Sequence, residues 1–300
     1  MRLVRAVAPG LDERGAEAPP TLGAVVGDHV VDLSAADPGL PRDVGALLAL
    51  GPAGLEAARR AAADPAAPRT PLARTRLLAP IARPPKILAV GLNYRDHIAE
   101  SGLETPTVPM IFNKQSTSAN GPFAPVHRPR ASDKLDYEGE LGFVIGARCR
   151  HVPREDAHRV IAGYCVVNDV SVRDWQMRSA TFTMGKSWDT HCPFGPWITT
   201  ADEVPHPDAL ELRTWVDGEL RQHSNTKHLL FDCASLVAHL STAFTLEPGD
   251  LVATGTPSGV GSGMKPRRYL APGQVVRVEI EGLGAIENAV VDEPDDTVAY

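Results

Sequence analysis

Glu138-Gly139-Glu140, with Asp169 placed 31 residues after Glu138, are the side chains whose types and spacing most invite chemistry. The run from Asp136 to Gly146 reads as a strand, because Leu141, Phe143 and Ile145 alternate with Gly142 and Val144. Side chains at i and i+2 of a strand share a face, so Glu138 and Glu140 project their carboxylates side by side. Like charges that close repel, and one is pushed toward protonation unless a cation lies between them. Asp169 ends a second apolar run, Val166-Val167-Asn168-Asp169. Three carboxylates with no thiol or imidazole among them describe a hard oxygen site for Mg²⁺ or Mn²⁺. The plainer alternative for Glu-x-Glu is the solvated face of an edge strand.

Further chemistry-bearing residues lie on both sides. If Asn93 to Glu100 is helical, His97 and Glu100 share a face at i and i+3. A carboxylate beside an imidazole orients the ring and raises its basicity, the arrangement of a water-activating base. An exposed surface pair is the alternative. Met184-Gly185-Lys186-Ser187 invites a phosphate-loop reading, but that motif needs a glycine where Ala180 stands, so nucleotide hydrolysis is excluded. Lys186 can instead face an enolate or carboxylate, or else be a solvated loop lysine. Arg173 and Gln176 fall on one face if Ser171 to Arg178 is helical, and arginine suits carboxylate capture. The amides and hydroxyls of Gly255 to Gly263 could hold a carboxylate, or the segment is a plain loop.

These residues must be positioned by elements the pattern foretells. The chain has 300 residues, 43% of them hydrophobic, enough for one large domain with or without a small one. Net charge is −7 with both signs interspersed, which gives no footprint for nucleic acid. No apolar run is long enough to span a bilayer, and Met1 to Pro9 does not read as a signal peptide. Cys149, Cys165, Cys192 and Cys233 are widely spaced, as reduced thiols of a cytoplasmic protein would be. Residues 1–68 form a small N-terminal α/β unit, with a hairpin turning at Gly27-Asp28 and a helical stretch from Asp43 to Ala63 broken at Gly51-Pro52. Six prolines between Pro65 and Pro85 read as a surface linker, here bounded at 69–85. Residues 86–300 are strand-rich. Strands are expected at Ile87 to Gly91, Val160 to Val172, Leu210 to Val216, Leu251 to Thr254, Val275 to Ile280 and Ala285 to Val291. A helix is expected from Asp96 to Ser101, closed by Gly102, and another from Cys233 to Phe244. Many short strands and few helices argue a strand-rich α+β fold with a rolled sheet.

Five segments in this order resemble the fumarylacetoacetate hydrolase family over about residues 84–292. They are Gly91 to His97, Asp136 to Leu141, Asn168-Asp169 with Arg173 to Gln176, Gly185 to Asp189, and Thr254 to Gly261. The resemblance implies a mixed β-roll and a homodimer. It implies a divalent metal, Mg²⁺ or Mn²⁺ with Ca²⁺ as a stand-in in crystals, held by Glu138, Glu140 and Asp169. The helix bearing His97 and Glu100 looks like a mobile lid. Lys186 matches a position that meets developing negative charge, and Tyr94, Arg173, Gln176 and Thr256 match positions that contact substrate. Trp188 stands where many relatives carry Phe, and the adjacent His191-Cys192 has no assigned role. The implied activity is hydrolysis of a carbon–carbon bond in a 1,3-diketo acid such as an acylpyruvate, by way of a metal-bound enolate. Decarboxylation of oxaloacetate-type acids, isomerisation of hydroxydienedioates and non-catalytic ligand binding are the alternatives.

Overall fold

The computed structural model of the protein describes residues 1–10, 18–102 and 104–295. Segments 11–17 and 296–300, which the sequence-based boundaries include, lie outside the described residues.

The N-terminal part comprises β1 (Arg2–Val7), β2 (Thr21–Val26), β3 (His29–Asp32), α1 (Leu33–Ala36), α2 (Val44–Ala49), α3 (Gly51–Ala63), β4 (Arg69–Pro71) and β5 (Arg76–Leu78). The hairpin forms with Val26 opposite His29, and the helical stretch breaks at Gly51 as its Gly-Pro step requires. Asp32 and Asp43 cap α1 and α2 through their side chains. Next come β6 (Ile87–Gly91), α4 (Arg95–Ser101), β7 (Met110–Lys114), β8 (Ala119–Asn120), β9 (Val126–Arg128), β10 (Leu135–Asp136) and β11 (Gly139–Ile145). Then follow β12 (Ile161–Asn168), β13 (Ser171–Val172), α5 (Arg173–Gln176), α6 (Thr183–Lys186) and β14 (Cys192–Thr200). The chain ends with β15 (Glu211–Val216), β16 (Glu219–Asn225), α7 (Cys233–Ala243), β17 (Leu251–Ala253), β18 (Val275–Ile280) and β19 (Gly284–Asp292).

A 12-stranded mixed sheet runs β4-β3-β2-β1-β14-β12-β11-β17-β6-β7, with β5 on β1 and β8 on β14. A five-stranded sheet, β16-β15-β18-β19-β9, packs against it, so the fold is a strand-rich α/β roll and not a closed barrel. The proline-rich stretch is not the surface linker expected. β4 pairs with β3 and β5 with β1, and Leu77, Ala79 and Ile81 are buried. Its prolines fall where strand pairing ends or between strands, so they leave the ladder intact. The N-terminal strands join the rest of the sheet through β1 and β14, Leu3 opposite Ile198. Among the described residues no helix is long and apolar enough to cross a membrane.

Period-two alternation divides the core. Leu141, Phe143 and Ile145 of β11 face a cluster with Leu236, Val237 and Leu240 of α7 and Val278 of β18. Val144, Val167 of β12 and Phe112 of β7 face the other cluster, shared with the N-terminal helices. The second face carries the polar residues of interest at its end.

Candidate active site

Glu138 and Glu140 share the face of Val144, and Asp169 shares that of Val167, so all three carboxylates emerge on one side. The β11–β12 register places Gly139 opposite Asn168, and the Asp169 amide donates to the Glu138 carbonyl at 2.8 Å. Gly139 is needed between the glutamates. A Cβ there would lie 2.2 Å from Thr214 Oγ1 and 3.0 Å from Val278 Cγ1, inside the packed second sheet. One carboxylate oxygen from each of Glu138, Glu140 and Asp169 falls within 4.8 Å of the others, and all three residues are buried. The edge-strand alternative is thereby excluded.

Cations surround this cluster unevenly. Lys186 Nζ donates to Glu138 Oε2 and Asp169 Oδ2, both at 2.7 Å. Arg173 contacts Glu138 Oε1 at 2.6 Å. Lys114 Nζ donates to Asp169 Oδ1 at 2.6 Å and to the carbonyls of Val170 and Lys186. Burial alone would raise the Glu138 pKa, but Lys186 and Arg173 outweigh it and hold the carboxyl below its usual range. Glu140 has no cation bonded to it among the described residues. Burial, then Asp169 and Glu138, push its carboxyl well above the usual range, against the charge of Lys186 and one bond from the Gly255 amide at 2.7 Å. A buried, oxygen-only donor set whose third member is charged only at great cost fits a divalent cation. Glu138, Glu140 and Asp169 would hold it.

A cleft of about 1050 Å³ opens onto Glu138, while Glu140 and Asp169 lie buried and are not among its lining residues. Its lining includes Glu138, Lys186, Arg173, Gln176, Thr256, His97 and Glu100, so the structure gathers most of the residues singled out in the sequence. α4 forms as expected, and His97 Nδ1 lies 3.0 Å from Glu100 Oε2. Burial favours neutral Glu100, but bonds from His97 and the Gly259 amide outweigh it, and its pKa falls below the usual range. Lys186 is no solvated lysine: it closes the turn of α6 and is 1% exposed. Its burial lowers the pKa, yet Asp169 and Glu138 reverse that and keep it charged. Arg173 Nη1 donates to Gln176 Oε1 at 3.0 Å, and its buried Nη2 has no protein partner among the described residues. Thr256 is 4% exposed, and its hydroxyl donates to the Gly139 carbonyl and accepts from Gln222.

Tyr94 is fully buried, its backbone bridged to Leu229, and like Glu140 and Asp169 it is not among the lining residues. Lys114 was not foreseen; a lysine ending the apolar strand Met110–Lys114 was the one signal available. The glycine-rich segment does bind carboxylates, but they are the protein's own. Gly255 serves Glu140, Gly259 serves Glu100, and Gly261 and Ser262 serve Asp136.

A strand-rich roll that sets a buried carboxylate triad, able to hold a metal ion, beside a cleft lined by a buried lysine and a His–Glu pair has the make-up of an enzyme. Residues 86–291 match the family model described as fumarylacetoacetate (FAA) hydrolase, C-terminal, and the chain belongs to that family. It is 42% identical over 294 residues to oxaloacetate tautomerase Fahd2a, a mitochondrial protein of Rattus norvegicus, covering 97% of this chain and 92% of that one. Among solved structures it is similar to fumarylacetoacetate hydrolase of Exiguobacterium antarcticum, with TM-score 0.82 and 36% identity. It is also similar to maleylpyruvate hydrolase of Sphingobium sp. SYK-6 in complex with manganese(II) and pyruvate, with TM-score 0.78 and 36% identity. Each of these two covers 98% of this chain and 100% of its own. The named members thus include both hydrolases and a tautomerase.

Proposed function

We propose that the protein is a Mg²⁺- or Mn²⁺-dependent hydrolase that cleaves a carbon–carbon bond in a 1,3-diketo acid. The observation that carries this reading is the His97–Glu100 pair, 3.0 Å apart, lining the same cleft as Glu138 and Lys186. The divalent cation, when bound, supplies Lewis acidity toward the keto acid's oxygens. Arg173, through its free Nη2, and Gln176 grip the substrate's carboxylate. Glu100 accepts from His97 Nδ1, which leaves Nε2 free to take a proton from water. The hydroxide attacks the distal carbonyl carbon. The carbon–carbon bond breaks with its electron pair left on the carbon next to the keto group, and His97 returns the proton there. Lys186 has three N–H donors, two of them spent on Glu138 and Asp169, so one remains for the developing enolate oxygen.

A second reading, tautomerisation of oxaloacetate, rests on the 42% identity to the rat enzyme. It needs the same proton transfer at His97 but no water. The first reading is preferred because the His97–Glu100 pair is the arrangement of a water-activating base. Acylpyruvate cleavage and oxaloacetate enol–keto exchange, assayed on one Mg²⁺-loaded preparation, decide between them. Hydrolysis is sunk if only the exchange is accelerated. Glu138→Ala should lower metal affinity by at least about 100-fold and abolish turnover; full turnover with metal retained would remove the assignment of the site.

A further inference from the structure

Asp136 takes no part in the chemistry above, yet it is fully buried among the most heavily bonded side chains near the cleft. Its Oδ2 accepts from Arg173 Nε at 2.8 Å and from the Ser262 amide at 2.9 Å. Its Oδ1 accepts from the Gly261 amide at 2.8 Å and from the amide of Tyr137 at 3.0 Å. One carboxylate therefore joins two structures with different jobs. The first is Arg173, which lines the cleft, also touches Glu138, and keeps a buried Nη2 with no partner among the described residues. The second is the loop from Ser258 to Gly263, against which α4 docks. On that loop the Gly259 amide donates to Glu100 Oε1 at 3.0 Å, and Ser258 Oγ meets Asp96 Oδ2 at 3.3 Å. Tyr137, next to Asp136, ties the same loop by donating its hydroxyl to the Gly259 carbonyl at 2.8 Å.

We propose that Asp136 is a positioning residue that couples Arg173, at the substrate-gripping end of the cleft, to the loop that seats the His97–Glu100 helix. The chain of contacts is short and each link is fixed. A ligand that occupies Arg173 Nη2 pins the guanidinium plane. The pinned plane holds Asp136, Asp136 holds the amides of Gly261 and Ser262, and the loop they belong to holds Glu100 in register with His97. A charged acceptor is required, because both Asp136 oxygens face donors only. An asparagine would keep the shape but turn an amide N–H toward either Arg173 Nε or a backbone N–H. The proposal rests on the functional reading above for the meaning of Arg173 and the dyad, but its test does not need turnover.

Amide hydrogen exchange of residues 95–100 is compared in wild type and Asp136→Asn, with Mg²⁺ alone and with Mg²⁺ plus oxalate, a small chelating dicarboxylate. In the wild type, oxalate should slow exchange in α4. In Asp136→Asn that protection should fall by about tenfold, corresponding to roughly 1.4 kcal/mol, while Mg²⁺ affinity stays within about threefold because the three ligands are untouched. For whichever substrate is turned over, kcat should fall and KM change less. The double variant Asp136→Asn with Glu100→Gln should lose no more than Glu100→Gln alone, since side chains that do not touch add their effects unless something couples them. Unchanged α4 protection in Asp136→Asn, no protection by oxalate in the wild type, or strictly additive losses would each overturn the proposal. If Asp136→Asn does not fold, Tyr137→Phe, which releases the same loop at Gly259, decides it: reduced α4 protection supports the coupling and unchanged protection overturns it. A protein that shows the coupling but cleaves no diketo acid would sink the functional reading and leave the role of Asp136 standing.

Discussion

Lys114 is 3% exposed, and among the described residues its ammonium group is bonded only to Asp169 and two carbonyls. A buried ammonium survives because its partners are equally buried, and removing either partner strands the other. Lys114→Met keeps the length and deletes the charge, leaving Asp169 with Lys186 alone. The metal-free protein should lose about 3–5 kcal/mol of stability. The same change deepens the negative potential at Glu138, Glu140 and Asp169, so a divalent cation should bind more tightly and restore part of the loss. Thermal melts with and without Mn²⁺ check both halves: the midpoint should drop, and the metal-induced rise should exceed that of the wild type. An equal drop in both conditions would show that Lys114 does not act on the carboxylate cluster. Composition could not reveal this lysine, because nothing in Met-Ile-Phe-Asn-Lys says which face of the strand meets Asp169. Tyr94 illustrates the converse. Its match to a substrate-contacting position comes from the family resemblance alone, while its side chain is fully buried.

Elements with local signatures were legible, and those made by distant pairing were not. The turn at Asp217-Gly218 has φ of 50° and 78°, the left-handed pair that a two-residue hairpin demands, and β15 and β16 follow from it. The helix α7 keeps Leu236, Val237 and Leu240 on its buried face. By contrast, β4 and β5 are three-residue strands recognisable only through their partners β3 and β1, so their prolines dominated the reading. The site depends on such a distant fit between α5 and α6. A Cβ on Gly185 would lie 2.2 Å from the Gln176 amide nitrogen and 2.3 Å from its Cα. Backbone cannot yield as a side-chain tip can, so Gly185→Ala must move α5 and α6 apart. That displaces Lys186 from Arg173 and Gln176 while Glu138, Glu140 and Asp169, carried by β11 and β12, stay in place. Turnover should fall by about 100-fold, the cost of a displacement near 1 Å, with metal affinity and the far-ultraviolet circular dichroism spectrum retained. Loss of metal binding in parallel would show that the two helices also set the carboxylate triad.

On the scale of the whole molecule, His191 links three regions and makes the fold sensitive to acid. Its imidazole donates from Nε2 to the His127 carbonyl of β9 at 2.8 Å, its own carbonyl accepts from the Val170 amide at 3.1 Å, and it precedes β14. The donor role fixes the proton on Nε2, so the buried Nδ1, unpartnered among the described residues, is a bare lone pair. Burial, and then the neighbouring charges of Lys114 and His127, lower the His191 pKa from 6.5 to about 3, against the His127 carbonyl bond. Between those two values the unfolded chain binds a proton at this residue and the folded chain does not. Stability therefore rises with pH across that window and is lost on acidification, by about 1.4 kcal/mol per pH unit. Glu138 and Glu100, whose carboxyls are held low, add to the same loss at lower pH, and Glu140, held high, opposes it. His191→Gln isolates the imidazole, because the glutamine amide can still donate to the His127 carbonyl but does not titrate. Urea unfolding at pH 6.5 and pH 5 should then show the wild type losing about 1.6 kcal/mol more than the variant over that interval. The variant should be the less stable protein at pH 7, where the imidazole packs on Trp188 without charge, and the two curves should converge as the pH falls. Parallel curves would mean that His191 is already protonated in the folded state or reaches solvent, and the acid sensitivity would then belong to the carboxylates alone.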